Sequence, residues 1–268
     1  MHPVHGMCEE LSKKSTMNEY LKNLNRIEFV VTLACTGRCK HCQNGDPVHT
    51  AEHIDADAAV RAIQRICKHY KIETLMTFGG EPLLFPGVVF AIHKAGADMG
   101  IRKRQVITNG YFSKRHDRIE EVVKCLEKSG VNELLLSVDA FHQETIPLEP
   151  VLVFAECAVR AGIPMELSPA WLVSREDQNP YNIRTREVIG AFAPLQIPVG
   201  QGNVIFPSGN ALKYLKGYFD ENTTASSPYE EDPRDIRSLS FSANGDVLDG
   251  NVYQTDILDI IRTYKVTE

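Results

Sequence analysis

Residues 26–42 read RIEFVVTLACTGRCKHC, and the fold is decided in this stretch. Its first seven residues, Arg26 to Thr32, are short, β-branched and apolar, which is the composition of a strand. Three cysteines follow within eight residues: Cys35, Cys39 and Cys42. A strand running straight into such a loop places three thiols at one end of a sheet. In a loop, three thiolates this close can converge on one soft metal centre, whereas helical or extended geometry would point them apart. Zinc is one occupant. A structural zinc wants four ligands, and His41 or His49 could supply the fourth. An iron–sulfur cubane is the other. Four irons usually take four thiolates, so three leave one iron open to an exchangeable ligand, as catalytic zinc keeps an open position.

Outward from that loop, strand and helix patterns alternate. Val60, Ile63, Cys67 and Tyr70 stand at helical spacing within 58–70. Thr74 to Phe78 is a strand ending at Gly79-Gly80, and a helix follows over 87–97. Gln105 to Thr108 is a strand ending at Asn109-Gly110. Ile119, Val122, Val123 and Leu126 mark a helix closed by Gly130. Strands are expected over 133–138 and 164–167, helices over 151–161 and 188–192, and a last strand over 197–199. Repeated β-then-α units imply a parallel sheet with right-handed crossovers, and apolar strands fit a sheet buried on both faces. Five or six units are too few for a closed eight-stranded barrel. The expected fold class is α/β, a partial (β/α)6 TIM-like barrel with ligand sites at the strand ends.

The style changes near residue 217. Residues 220–235 are polar, acidic and Pro-containing. A hairpin is expected over 238–249, turning at Asn244-Gly245, and a helix over 256–264. Three parts result: an N-terminal extension (1–25), the barrel (26–217), and a C-terminal hairpin-plus-helix extension (218–268).

Composition narrows the function classes. Of 268 residues, 43% are hydrophobic and 24% charged, which excludes disordered and collagen-like chains. Lys and Arg number 29 against 35 Asp and Glu, a net charge of −6 that argues against bulk nucleic-acid binding. No run of eighteen apolar residues spans a membrane, and the first ten residues lack a secretory signal, so a cytoplasmic protein is expected. In a reducing compartment, clustered cysteines read as metal ligands or catalytic groups. Cys67, Cys125 and Cys157 lie in helix patterns as small core hydrophobes, and Cys8 is isolated. Arg102, Lys103 and Arg104 read as a solvated face at the far end of the third strand.

Four motifs in order carry a family resemblance: Cys35-x3-Cys39-x2-Cys42, Gly79-Gly80-Glu81-Pro82, Thr108-Asn109-Gly110 and Ser137-Val138-Asp139, each at the C-terminal end of an expected strand. Over roughly residues 26–170 the chain resembles the radical SAM enzymes. The resemblance implies a [4Fe-4S] cluster on Cys35, Cys39 and Cys42, with S-adenosylmethionine (SAM) on the open iron. One electron then cleaves the sulfonium, and a 5′-deoxyadenosyl radical takes hydrogen from the substrate. The residue before the third Cys is usually aromatic in that family and packs near the adenine; here it is His41, whose imidazole can still stack.

The resemblance implies SAM contacts from Gly79, Gly80, Glu81 and Pro82, from Thr108 and Asn109, and from Ser168 at the end of the fifth strand. Gly79 and Gly80 let backbone pass close to a ligand, and the bland alternative is a plain strand-to-helix turn. Ser137 and Asp139, two apart in extended backbone, face one side and could both reach ribose hydroxyls; an ordinary helix cap is the alternative. A simple Asn-Gly turn accounts equally for Asn109. His142, Gln143 and Arg175 are catalytic candidates, with a solvated loop as the alternative reading. Phe241 to Val247 resembles the hairpin that opens an auxiliary-cluster domain, but no cysteine follows Cys157, so no second cluster is expected. A low-potential donor such as flavodoxin or ferredoxin, and a peptide, protein or small-molecule substrate, complete the expected partners. A glycyl-radical activase is the runner-up. A non-catalytic zinc or iron–sulfur redox sensor is the reading from another class.

Overall fold

Alternating residues of the parallel strands meet two different environments, and this split builds the site. The computed structural model describes residues 17–48, 50–220, 227 and 230–266. Cys8, the N-terminal signal reading, His49 and part of the 220–235 loop lie outside the described residues.

The chain forms β1 (Arg26–Val30), α1 (Ala56–Ile66), β2 (Thr74–Phe78), α2 (Pro86–Asp98), β3 (Lys103–Thr108) and α3 (His116–Lys128). Next come β4 (Glu133–Leu136), α4 (Ala140–Gln143), α5 (Leu148–Arg160), β5 (Met165–Leu167), β6 (Ala170–Trp171) and α6 (Pro180–Gly190). The C-terminal third holds β7 (Asn203–Val204), α7 (Gly209–Tyr214), β8 (Ser238–Phe241), β9 (Asp246–Val247), β10 (Gly250–Asn251) and α8 (Ile257–Thr263). Helix starts follow side-chain chemistry. Asp55 accepts from the Ala58 amide at 2.7 Å, Asn179 from Asn182 at 2.9 Å and Asp256 from Leu258 at 2.9 Å.

Six strands form one open sheet in the order β5-β4-β3-β2-β1-β8, with every pairing parallel. The sixth strand is not the expected 197–199 segment, which contributes a single bridge from Val199 to Leu167. It is β8, from the segment expected to lie outside the barrel, and it pairs with β1 on the opposite edge. Phe29 stacks on Phe241 at 4.7 Å across that pairing, and Arg65 of α1 pairs with Asp256 at 3.0 Å. The hairpin ladder beyond it joins β9 to β10 rather than running from residue 238.

The convex face packs on the helices. Ile27, Phe29, Leu75, Val106, Leu134 and Leu136 are fully buried there, each stabilising by about 1.5–3 kcal/mol. The concave face corrects the expectation of a sheet buried on both sides. Arg26, Glu28, Lys103 and Glu166 line a cavity of about 2130 Å³ together with Met76, Gln105 and Ser240. Lys103, expected at a solvated end, is exposed there and also lines this cavity. Among the described residues, no helix is long and apolar enough to cross a membrane.

Candidate functional site

The cysteine loop leaves β1 and is bound to the loop after β2 through backbone hydrogen bonds. Gly80 N–H donates to the Thr32 carbonyl at 2.7 Å and Glu81 N–H to Ala34 at 2.8 Å. A Cβ on Gly79 would lie 2.4 Å from the Thr32 oxygen, and one on Gly80 would lie 2.1 Å from the Ala34 oxygen. Gly79 also has φ +145°. The close approach expected of these glycines is therefore an approach to the backbone leading into the cysteine loop.

Glu81 joins the next pair of strand ends. It is fully buried, and its carboxylate accepts from Leu83 N–H at 2.9 Å, Thr108 Oγ1 at 2.8 Å and Asn109 N–H at 2.8 Å. Burial lifts its carboxyl to about 7 against the pull of these bonds. Pro82, also buried, opens the 3-10 turn that follows. Asn109 then reaches back: its Nδ2 donates to Thr36 Oγ1 at 3.2 Å and lies 3.6 Å from Cys35 Sγ. Thr108 and Glu81 thus hold the loops together, while Asn109 touches the first cysteine.

A second cavity of about 160 Å³ is walled by Cys35, Cys39 and Cys42 together with Gly79, Gly80, Asn109 and Ser137. It shares Cys42, Gly79, Ser137 and His142 with the large concave cavity, so the two adjoin. Burial pushes the Cys35 thiol up to about 11, and that of Cys42 is raised for the same reason. Ionising them there calls for a positive partner, which a metal centre supplies. Cys67, Cys125 and Cys157 sit on or beside helices and do not line this cavity. Three soft sulfur donors around one cavity fit a cubane that keeps one iron for an outside ligand.

Above the loop lies a bonded group of polar side chains. Asp139, fully buried, caps α4 by accepting from His142 N–H at 2.9 Å, binds His142 Nδ1 at 2.8 Å, and accepts from Ala170 N–H at 3.0 Å. Burial opposes charge on both partners, but their mutual attraction wins: the aspartate is held well below its ordinary range and His142 well above its own. The other side of the His142 ring meets Cys39. His41 lies 5.0 Å from both the Phe141 and His142 rings, and its buried Nδ1 has no partner. Burial depresses His41 to about 4, so its ring is neutral at pH 7. Ligand atoms of His41, Asp139 and His142 fall within 4.8 Å of one another. The helix-cap alternative weighed for Asp139 is realised, and its carboxylate is engaged by three protein donors.

Ser137 and Ser168 line the large cavity at the β4 and β5 ends. Gln143 turns inward and accepts from Asp139 N–H at 3.0 Å. Arg175 lies over the Trp171 ring at 5.9 Å and is not among the residues lining either cavity. Sequence reasoning missed the α7 segment. Asn210 donates its amide N–H to Cys42 O at 2.9 Å and its Nδ2 to Cys39 O at 3.2 Å. A Cβ on Gly209 would meet Gln43 O at 2.4 Å. Nothing in local spacing links residue 210 to a loop so far upstream.

Comparison with known proteins identifies the family and the fold. Residues 29–164 match the family model described as Radical SAM superfamily. GTP 3′,8-cyclase of Geobacter sulfurreducens is 27% identical over 157 residues, covering 55% of this chain and 46% of that protein. The chain thus spans about half the length of the curated relatives it matches. Streptococcus suis SuiB, solved with its precursor peptide SuiA, superposes with TM-score 0.56 at 12% identity over 90% of this chain and 65% of SuiB. Native anSMEcpe with bound AdoMet and Cp18Cys peptide gives TM-score 0.56 at 13% identity over 90% of this chain and 80% of that one. At such identities these two structures share the fold.

Proposed function

This chain belongs to the radical SAM superfamily of enzymes, which work with a [4Fe-4S] cluster and SAM, and we propose that it abstracts hydrogen from a peptide, protein or small-molecule substrate held in its concave cavity. The observation that carries this reading is a single wall. Cys35, Cys39, Cys42, Gly79, Asn109 and Ser137 surround one cavity that adjoins the larger one. When bound, the cluster and SAM supply a reductive sulfonium cleavage whose primary radical takes a hydrogen atom.

The chain's own residues would divide the remaining work. The three thiolates hold the cluster, with Asn109 and Asn210 positioning the loop. The Gly79-Gly80 segment lines the smaller cavity and offers carbonyls to the methionine ammonium. Ser137, which lines both cavities, would meet the ribose, whereas Asp139 would serve by orienting His142 and the Ala170 amide. His41, neutral and held beside Phe141, lines both cavities and would stack near the adenine. A low-potential flavodoxin or ferredoxin is the proposed donor.

Anaerobic reconstitution tests this. The protein should bind about four irons per chain and, with dithionite and SAM, release 5′-deoxyadenosine. A deuterium-labelled substrate should pass its label to that product. A preparation that takes zinc at the same cysteines, excludes iron and leaves SAM intact would overturn it.

A further inference from the structure

The concave sheet face carries five formal charges: Arg26 and Glu28 on β1, Lys103 on β3, Glu133 on β4 and Glu166 on β5. Four of them cancel. Arg26 pairs with Glu28, and Lys103 pairs with Glu133 at 2.9 Å. Glu133 also accepts from the Gln105 side chain, which stands opposite it in register. Glu166 is different. Among the described residues it has no ion pair and no side-chain hydrogen bond, although it is half-buried in the wall of the large cavity.

The chain makes room for this carboxylate. Glu166 Oε1 lies where a Cβ on residue 200 would come within 1.8 Å, so the position is open only because residue 200 is glycine. Gly200 cannot simply move aside, since its N–H donates to Leu167 O at 2.9 Å and Val199 bridges Leu167. Ser168 follows Glu166 on the same face of the strand, one step nearer the cysteine loop. Ser238 Oγ, in the same cavity wall, is buried with no partner. Of the lining residues, the cations are Arg26, Lys103 and His142, each already paired with a carboxylate, whereas Glu52, Glu230, Glu231 and Asp246 add negative charge to the wall. A walled cavity with this balance draws in positive ligands.

We propose that Glu166 seats a cationic group of the substrate, an ammonium or a guanidinium, inside the lumen. The proposal rests on the reading of the large cavity as the substrate chamber. A charge anchored one step deeper than Ser168 leaves the uncharged part of the molecule facing the cysteine-loop end, where hydrogen would be removed. The neutralised pairs Arg26–Glu28 and Lys103–Glu133 form a floor that repels neither end of such a molecule.

Calorimetric titration of the reconstituted, SAM-loaded enzyme tests this with four probes: N-acetyl-lysinamide, N-acetyl-argininamide, the neutral N-acetyl-norleucinamide and the anionic α-amide of N-acetyl-glutamic acid. The expected result is at least about tenfold tighter binding of a cationic probe than of the neutral one. Glu166→Gln at matched iron content should erase that preference, and Glu166→Lys should shift it to the anionic probe. Equal binding of cationic and neutral probes, or a preference that survives Glu166→Gln, overturns the proposal. SAM cleavage by the wild type with dithionite is measured on the same samples. If cleavage occurs and no preference is found, the cation seat alone has failed; if cleavage is absent from a cluster-loaded wild type, the radical reading has failed as well.

Discussion

Replacing Gly80 with alanine probes the contact that sets the cysteine loop. The added methyl would sit 2.1 Å from the Ala34 carbonyl oxygen, 2.7 Å from its carbon and 2.8 Å from the Leu33 oxygen. All three atoms are backbone, so no rotamer change relieves them. A carbon–oxygen contact is tolerated from about 3.3 Å, so the two segments must part by roughly 1 Å. That movement stretches Gly80 N–H to Thr32 O, now 2.7 Å, and Glu81 N–H to Ala34 O, now 2.8 Å. Two weakened hydrogen bonds at about 1 kcal/mol each, with overpacking strain of about 1–3 kcal/mol, give an expected loss of about 3–5 kcal/mol. Because Ala34 adjoins Cys35, the displacement also moves the first thiol. Urea unfolding of the apoprotein measures the first effect, and iron content after reconstitution measures the second. Gly87→Ala is the control, since a Cβ there meets nothing within 4 Å. A Gly80→Ala protein within about 0.5 kcal/mol of wild type that also loads its full iron would refute the reasoning.

Other substitutions separate the remaining roles. Cys39→Ala should abolish iron retention and SAM cleavage, while Cys157→Ala, a core change, should lower stability yet leave iron stoichiometry intact. Asn210→Ala removes a side-chain bond to Cys39 O and should cost about 1 kcal/mol, seen as faster iron loss to a chelator. His93 is fully buried, and burial together with the nearby Arg104 charge lowers it to about 3. The unfolded histidine takes a proton that the folded one refuses, so the contribution of His93 is present above about pH 6.5 and is lost as pH falls toward 3. His93→Gln should flatten the acid limb of a stability–pH profile over that window. Glu81 has the opposite slope. Its raised carboxyl, at about 7, makes folding less favourable as pH rises from about 4.5 to 7, and apoprotein melting temperatures across that window should show a decline that Glu81→Gln removes.

The parallel repeat was readable because apolar residues recur at strand and helix spacing, and β1 to β5 lie close to where the pattern places them. The motifs were readable because each sits at the C-terminal end of a strand, where turns must break. Glu81 was harder. A Glu after Gly-Gly reads as exposed charge, and only burial by the β3 end turns it into the bond between two loops. Asp139 likewise reads as a free carboxylate until His142 and Ala170 are seen to engage it. The apolar look of the strands hid an alternation. Arg26 and Glu28 interrupt RIEFVVT at every second position, and that period of two marks one wet face.

Local chemistry along the chain was enough to specify the alternating elements, the loop of three thiols and the family they signify, since each depends on neighbours a few residues apart. Contacts between distant segments were settled by the folded sheet alone. These include β8 beside β1, Asn210 on the cysteine loop and Glu166 unpaired against Gly200. The reason is physical: a hydrogen bond or an unbalanced charge depends on distance in space, and a strand ladder joins residues whose separation along the chain carries no local trace.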